Sequence, residues 1–159
     1  MVIKGDHSYG NIIRRGEMNT IRIGKYCSIG DNVIFDGGWD HDINKISTYP
    51  FHTWGLTENN NVCSGDINIG NDVWIGADCI IRSGVTIGDG AVIGARSIIS
   101  KDVEPYSLVV GYGRVIRKRF TDEQITGLLK LKWWDMADDK VRQIAPILHS
   151  RDFEKLFNL

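Results

Sequence analysis

From Ile69 to Glu104 the apolar positions recur in steps of six. The first positions of the hexads are Ile69, Ile75, Ile81, Ile87, Ile93 and Ile99. The second are Gly70, Gly76, Arg82, Gly88, Gly94 and Ser100, and the fifth are Val73, Cys79, Val85, Ala91, Ser97 and Val103. An α-helix repeats every 3.6 residues and a strand alternates every two, so neither alone produces strict sixes. A stacked solenoid does. Each hexad supplies a short strand and a corner, three hexads close one coil, the isoleucine and the small fifth residue point inward, and glycine allows the corner backbone. The same register runs upstream through Ile23-Gly24 with Cys27, then Ile29-Gly30 with Val33, and Phe35-Asp36 opens a third hexad. Residues 2–14 are expected to form an imperfect first coil.

The period vanishes between Phe35 and Ile67, and residues 37–66 hold Gly, Asn and Asp clusters, several aromatics and two histidines. A loop of this length inside a compact domain is characteristically functional or disordered, and its aromatics argue that it packs on something. Beyond Pro105 the hexads stop and a basic stretch follows, with Arg114, Arg117, Lys118 and Arg119. Thr121 and Gln124 have the spacing of a capping box, with Asp122 and Glu123 in the favourable first turn. Helices are expected over 122–131, 137–148 and 151–157, with Trp133 and Trp134 packing this tail onto the coils or onto a neighbour. The division is thus 1–116 for the solenoid, with its insertion at 37–66, and 117–159 for a helical tail that caps the open coil end.

Composition narrows the functions. The net charge is −1, with both signs mixed along the chain, which argues against a general nucleic-acid binder. No apolar run approaches the roughly 20 residues of a membrane span, and the N-terminus lacks the apolar core of a signal peptide. The odd cysteine count (Cys27, Cys63, Cys79), without CxxC spacing, suggests neither a disulfide framework nor a zinc site. Cys27 and Cys79 occupy small inward sites and read as core. A cytoplasmic setting, where thiols stay reduced, is expected.

The segment His41-Asp42-Ile43-Asn44-Lys45-Ile46-Ser47-Thr48-Tyr49-Pro50-Phe51 resembles the active-site loop of the xenobiotic acetyltransferases. That family includes the hexapeptide-type chloramphenicol and streptogramin A acetyltransferases and related polysaccharide O-acetyltransferases. The runs Gly70-Asn71-Asp72-Val73-Trp74-Ile75-Gly76, Ile87 to Gly94 and Lys101 to Tyr106 are similar too, as is the tail from Arg117 to Trp134. Isoleucine-rich hexads of this kind resemble the left-handed parallel β-helix, so the resemblance implies an all-β, left-handed solenoid with a long inserted loop and a short helical tail. The hand runs against the usual right-handed crossover and comes from the resemblance alone. Two departures stand out: Asn44 replaces an Asp common in the family, and Val110-Gly111-Tyr112-Gly113 replaces Gly-Gly-Asn-Pro.

The resemblance implies acetyl transfer from acetyl-CoA to a hydroxyl. Such a nucleophile needs a base, and histidine titrates in the right range. His41 is the candidate and His52 the runner-up; His7 and His149 read as surface residues. The resemblance sets Trp74, Gly76, Gly94 and Ala95 along the pantetheine arm, with Lys101, Arg114 and Arg117 meeting the CoA phosphates. Tyr49, Phe51 and Trp54 shape the acceptor pocket. It also implies a homotrimer with each site between two subunits, and no metal. Nothing in the sequence marks an oxyanion donor. The shorter chain and altered loop lean toward a carbohydrate or cell-envelope acceptor, with an antibiotic-inactivating enzyme as the alternative. Two other classes compete. A zinc-dependent carbonic anhydrase needs three histidine ligands, and none of the four histidines falls within 69–104. A non-catalytic binding solenoid is the other; its ice-binding form needs ranks of outward Thr, which are missing.

Overall fold

The computed structural model describes residues 1–59 and 61–158. The chain lays down short strands in coils. The first coil holds β1 (Val2–Lys4) and β2 (Ile13–Arg15), and the second holds β3 (Ile21–Ile23), β4 (Ser28–Ile29) and β5 (Ile34–Asp36). The third holds β6 (Ile67–Ile69), β7 (Trp74–Ile75) and β8 (Ile80–Ile81), and the fourth β9 (Thr86–Ile87), β10 (Val92–Ile93) and β11 (Ile98–Ile99). A hairpin of β12 (Ser107–Val110) and β13 (Arg114–Lys118) closes the array. Successive strands visit three sheets in rotation, ordered β1-β3-β6-β9, β4-β7-β10-β12-β13 and β2-β5-β8-β11. All pairs are parallel except β12 with β13. This is the strand order of a parallel β-helix.

The register follows the hexads. Ile23 pairs with Ile69 and Ile69 with Ile87; Ile29 with Ile75 and Ile75 with Ile93; Phe35 with Ile81 and Ile81 with Ile99. The first-position isoleucines from Ile69 to Ile99 are at most 4% exposed, and the fifth-position residues are buried with them. Each such isoleucine contributes roughly 1.5–3 kcal/mol of burial. The polar member of the fifth rank is satisfied, because the Ser97 hydroxyl donates to the Gly94 carbonyl at 2.6 Å. The Cys27 and Cys79 thiols sit in the same core, donating to the carbonyls of Gly70 (3.1 Å) and Gly94 (3.2 Å). Burial raises both thiols above their ordinary pKa. The 37–66 insertion leaves the stacking intact: Ile21 pairs with Ile67 directly across it. The first coil has the expected strands, but Val2, Ile3 and Ile13 are exposed, β1 and β2 being edge strands of their sheets.

The tail contains α1 (Asp122–Leu131), α2 (Asp138–Leu148) and α3 (Phe153–Phe157). The capping box starts α1: Thr121 Oγ1 accepts from Gln124 N–H at 3.3 Å, and Gln124 Oε1 accepts from Thr121 N–H at 3.1 Å. The third helix begins later than the pattern predicts, since Asp152 caps it by accepting from Lys155 N–H. Trp134 is buried, and Trp133 packs on Tyr26 of the second coil with ring centroids 4.7 Å apart. Tyr106, Leu128 and Leu156 form a second core with Phe120 and Phe153, joining the last turn of the coils to the helices.

A cavity of about 420 Å³ follows this seam, with Asp72, Tyr106 and Arg119 in its wall. Burial pushes the Asp72 carboxyl up from 3.8 to about 6, partly offset by Arg119 at 3.8 Å, with Asp89 adding to the rise. A carboxyl raised in the folded state holds its proton preferentially there. Its stabilisation is present below 3.8 and lost as the pH climbs through about 6. Asp72→Asn should therefore gain on the wild type as pH rises across that window. The side chain keeps 35% of its exposure, so solvent screening limits the gain to on the order of 1 kcal/mol. Unfolding midpoints of both chains at several pH values check this, because carboxyls remote from Asp72 cancel and only the coupled Asp89 does not. A difference that stays flat with pH contradicts it.

Candidate active site

The loop starts where β5 ends. After Asp36 the chain turns through Gly37, Gly38 and Trp39, the last two at φ 95° and 83°. At Gly38 a Cβ would lie 2.8 Å from the Cys63 Cβ, so glycine is what lets the two limbs of the loop touch. Asp40 and Val62 exchange both backbone hydrogen bonds, at 3.0 and 2.7 Å, and zip the limbs together. From the coil below, Asn19 Nδ2 donates to the Gly65 carbonyl at 3.0 Å and Met18 N–H to the Gly37 carbonyl at 3.0 Å. His41 is the first residue beyond this neck.

Past His41, the Asp42 carboxylate accepts from Asn44 N–H at 2.9 Å, which bends the chain back. Pro50 precedes a 3₁₀ turn over Phe51–Trp54. Tyr49 then contacts Phe51 and Trp54, with centroids 5.0 and 5.6 Å apart. These segments enclose a cavity of about 260 Å³, with His41, Asp42, Lys45, Tyr49 and Phe51 in its wall. Trp54 is outside that wall and acts on it through Tyr49 and Phe51. His52 is half-buried; among the described residues its Nδ1 has no hydrogen-bond partner, and it does not line the cavity. Ile43 and Ile46 project from the loop almost wholly exposed.

The expected cofactor residues gather elsewhere. Trp74 stands 57% exposed on β7. In register it pairs with Val92, Val92 with Leu108, and Leu108 with Arg117, making one row across the second sheet. A parallel row runs along the adjoining corner. A Cβ on Gly76 would lie 2.5 Å from Ala95 N, one on Gly94 would lie 2.9 Å from Val110 Cγ1, and Val110 pairs with Arg114. Six expected residues thus share one edge, bare of side chains at the two glycines. Lys101 does not join them, being exposed on the corner after β11. The Arg117 guanidinium lies along its own strand, donating to the carbonyls of Lys118 (2.9 Å) and Arg119 (3.2 Å). The wall of the His41 cavity includes none of the expected cofactor residues.

One residue was missed by the sequence reading. Arg82, on the coil beside the loop, donates to Asp36 Oδ2 at 2.6 Å and to both carboxylate oxygens of Asp40 at 2.8 Å. Its only signal was an arginine where four other hexads have glycine. Among the described residues no group of three His, Cys, Asp or Glu is arranged to hold a metal, and no helix is long and apolar enough to cross a membrane.

Residues 66–101 match the family described as bacterial transferase hexapeptide (six repeats). A chloramphenicol acetyltransferase of Agrobacterium fabrum is 42% identical over 144 residues, spanning 85% of this chain and 69% of that protein. A probable macrolide acetyltransferase of Lysinibacillus sphaericus is 41% identical over 162 residues, spanning 94% of this chain and 90% of that one. The crystal structure of a hexapeptide-repeat acetyltransferase of Vibrio cholerae, complexed with acetyl coenzyme A, superposes with a TM-score of 0.54 at 26% identity, covering 76% of this chain and 71% of that one. Identity at this level spans the loop, the coils and the tail together, and the chain belongs to the hexapeptide-repeat acetyltransferases of the chloramphenicol acetyltransferase type.

Proposed function

We propose that this protein transfers the acetyl group of acetyl-CoA to a hydroxyl of a small acceptor, with His41 as general base. The observation that carries the reading is the division of labour. A loop cavity holds a histidine among aromatic and hydroxyl side chains, and a separate sheet edge offers an exposed Trp, two bare glycines and two arginines. His41 takes the hydroxyl proton as the acceptor oxygen attacks the acetyl carbonyl, and returns it to the departing CoA thiolate. Tyr49 and Phe51 line the acceptor side and Trp54 buttresses them. Trp74, Gly76, Gly94 and Ala95 flank the pantetheine arm. Arg114 and Arg117 meet the phosphates, which requires Arg117 to swing off its own strand, with Lys101 as an outlying contact.

The loop cavity and the sheet edge share no residue, which supports a site completed by a neighbour in a homotrimer. We read the three-sheet array as a closed left-handed β-helix over 1–116 and the tail over 117–159 as its cap, Asn60 and Leu159 lying outside the described residues. A cytoplasmic setting fits the reduced buried thiols. Acetyl-CoA with a panel of sugars and antibiotics should give free thiol together with acceptor gaining one acetyl. The identity to chloramphenicol and macrolide enzymes favours an antibiotic acceptor, against the carbohydrate suggested by the altered loop. No acetylated product from either group would defeat the reading.

The intersubunit site has its own test. His41→Ala and Ala95→Trp chains should each be inactive alone, the second because a bulky side chain on the exposed Ala95 blocks the edge without entering the coil stacking. Unfolded together and reassembled, they should recover activity in those trimers where an intact loop faces an intact wall. A mixture as inactive as its parts would place both halves of each site in one chain.

A further inference from the structure

We propose that Arg82 is the positioning residue for His41, acting through Asp40 and Asp36; the inference rests on His41 being the base. Register puts Arg82 there: Phe35 pairs with Ile81, so the next residues, Asp36 and Arg82, stack on neighbouring coils. Its Nη1 takes Asp36 at 2.6 Å, and its Nη2 takes both oxygens of Asp40 at 2.8 Å. One guanidinium therefore bridges the last residue of β5 and the residue immediately before His41.

What it spans matters. Gly37, Gly38 and Trp39 lie between the two carboxylates, and Trp39 has φ 83°, a region that side-chain-bearing residues rarely adopt. Such a conformation persists only where its surroundings over-determine it. The neck is gripped from below by Asn19, whose Nδ2 reaches the Asp36 carbonyl at 3.4 Å and the Gly65 carbonyl at 3.0 Å. Arg82 is the grip from above. A lysine cannot replace it, because an ammonium lacks the planar fork that holds two carboxylates in fixed directions. Arg82 is absent from the wall of the His41 cavity, so it touches no reacting atom and works by fixing where the His41 backbone begins. The guanidinium and Asp40 side chains are each 39% exposed, so the pairing adds little to global stability. Its effect belongs in turnover, where a small misplacement of a catalytic group costs about 10²-fold.

The test compares wild type, Arg82→Met, Arg82→Lys, Asp40→Asn, the Arg82→Met/Asp40→Asn double variant and His41→Ala in the full-length protein. Acetyl transfer, CoA binding and thermal unfolding are measured for each. Arg82→Met should lower kcat by about 10- to 100-fold, leaving the CoA dissociation constant and the unfolding midpoint near wild type. Arg82→Lys should fall between. The double variant should be no worse than Arg82→Met, because the two residues act as one device. Faster amide exchange across residues 38–42 in Arg82→Met, with the coils unchanged, would support the same conclusion. Full turnover in Arg82→Met while His41→Ala is inactive would overturn the role of Arg82 alone. A loss of kcat accompanied by equal losses in CoA affinity and midpoint would reduce it to a folding contact. Turnover surviving in His41→Ala would instead remove the reading beneath it.

Discussion

Replacing His41 with alanine should lower kcat by about 10²- to 10⁴-fold while CoA binds as before. A hydroxyl near neutral pH is a poor nucleophile, and the proposed role of His41 is to remove its proton as it attacks. CoA affinity should survive because the proposed cofactor wall, with Trp74 on the second sheet and Gly76 and Gly94 on the adjoining corner, shares no residue with the His41 cavity. The loss therefore appears in turnover, the pattern of an interaction made only in the transition state. His52→Ala is the control. His52 is half-buried within the 3₁₀ turn and outside the cavity wall, so its removal should disturb Phe51 packing modestly and leave proton transfer intact. Steady-state kinetics with any accepted hydroxyl compound, beside calorimetric titration with CoA, separates the two. Comparable losses in both variants would take the base away from His41.

Arg82 shows where sequence reading stops. The hexads are legible because each isoleucine reports a repeated local environment, one strand and one corner, and stacking repeats it at every coil. The start of α1 is legible for a similar reason: Thr121 and Gln124 satisfy each other across three residues. The loop neck is of another kind. Asp36, Asp40 and Arg82 are brought together by the skipped insertion, and the Arg82 bonds cross 46 and 42 residues of chain. No local pattern encodes that pairing. Lys101 stands off the proposed cofactor edge for a related reason. It follows β11 of the third sheet, whereas Trp74, Arg114 and Arg117 belong to the second, and linear proximity to Gly94 hides the intervening corner. His7 read as plain surface; exposed as it is, it stacks on Tyr26 at 4.6 Å and meets Asp138 at 3.1 Å, tying the first coil to the tail.

The dependence of the coils on their cap gives the second large effect. Gly90→Val should lower the unfolding midpoint by about 4–20 °C. Gly90 is buried at φ 67°, beneath the ring of Tyr106; a Cβ there would collide with Tyr106 Cε1 and lie 2.5 Å from its Cδ1. Tyr106 is held where it lies: it is 1% exposed, its N–H is bonded to the Asp89 carbonyl at 2.9 Å, and Phe120 packs against its ring at 5.7 Å, so relief of the collision needs the ring to turn toward the seam cavity at the expense of that packing. Two costs add: about 1–2 kcal/mol for a branched side chain in the left-handed region, and about 1–3 kcal/mol for overpacking. For a chain of this size each kcal/mol moves the midpoint by about 2–4 °C. Gly111→Val separates the terms. Gly111 has nearly the same φ, 62°, but no atom lies within 4 Å of its added Cβ. It should pay the backbone cost and escape the collision, so the difference between the two variants measures the Tyr106 contact. Circular-dichroism melts of both variants make the comparison. Equal losses would mean that Tyr106 gives way freely, and that the last coil does not depend on that ring to hold its cap.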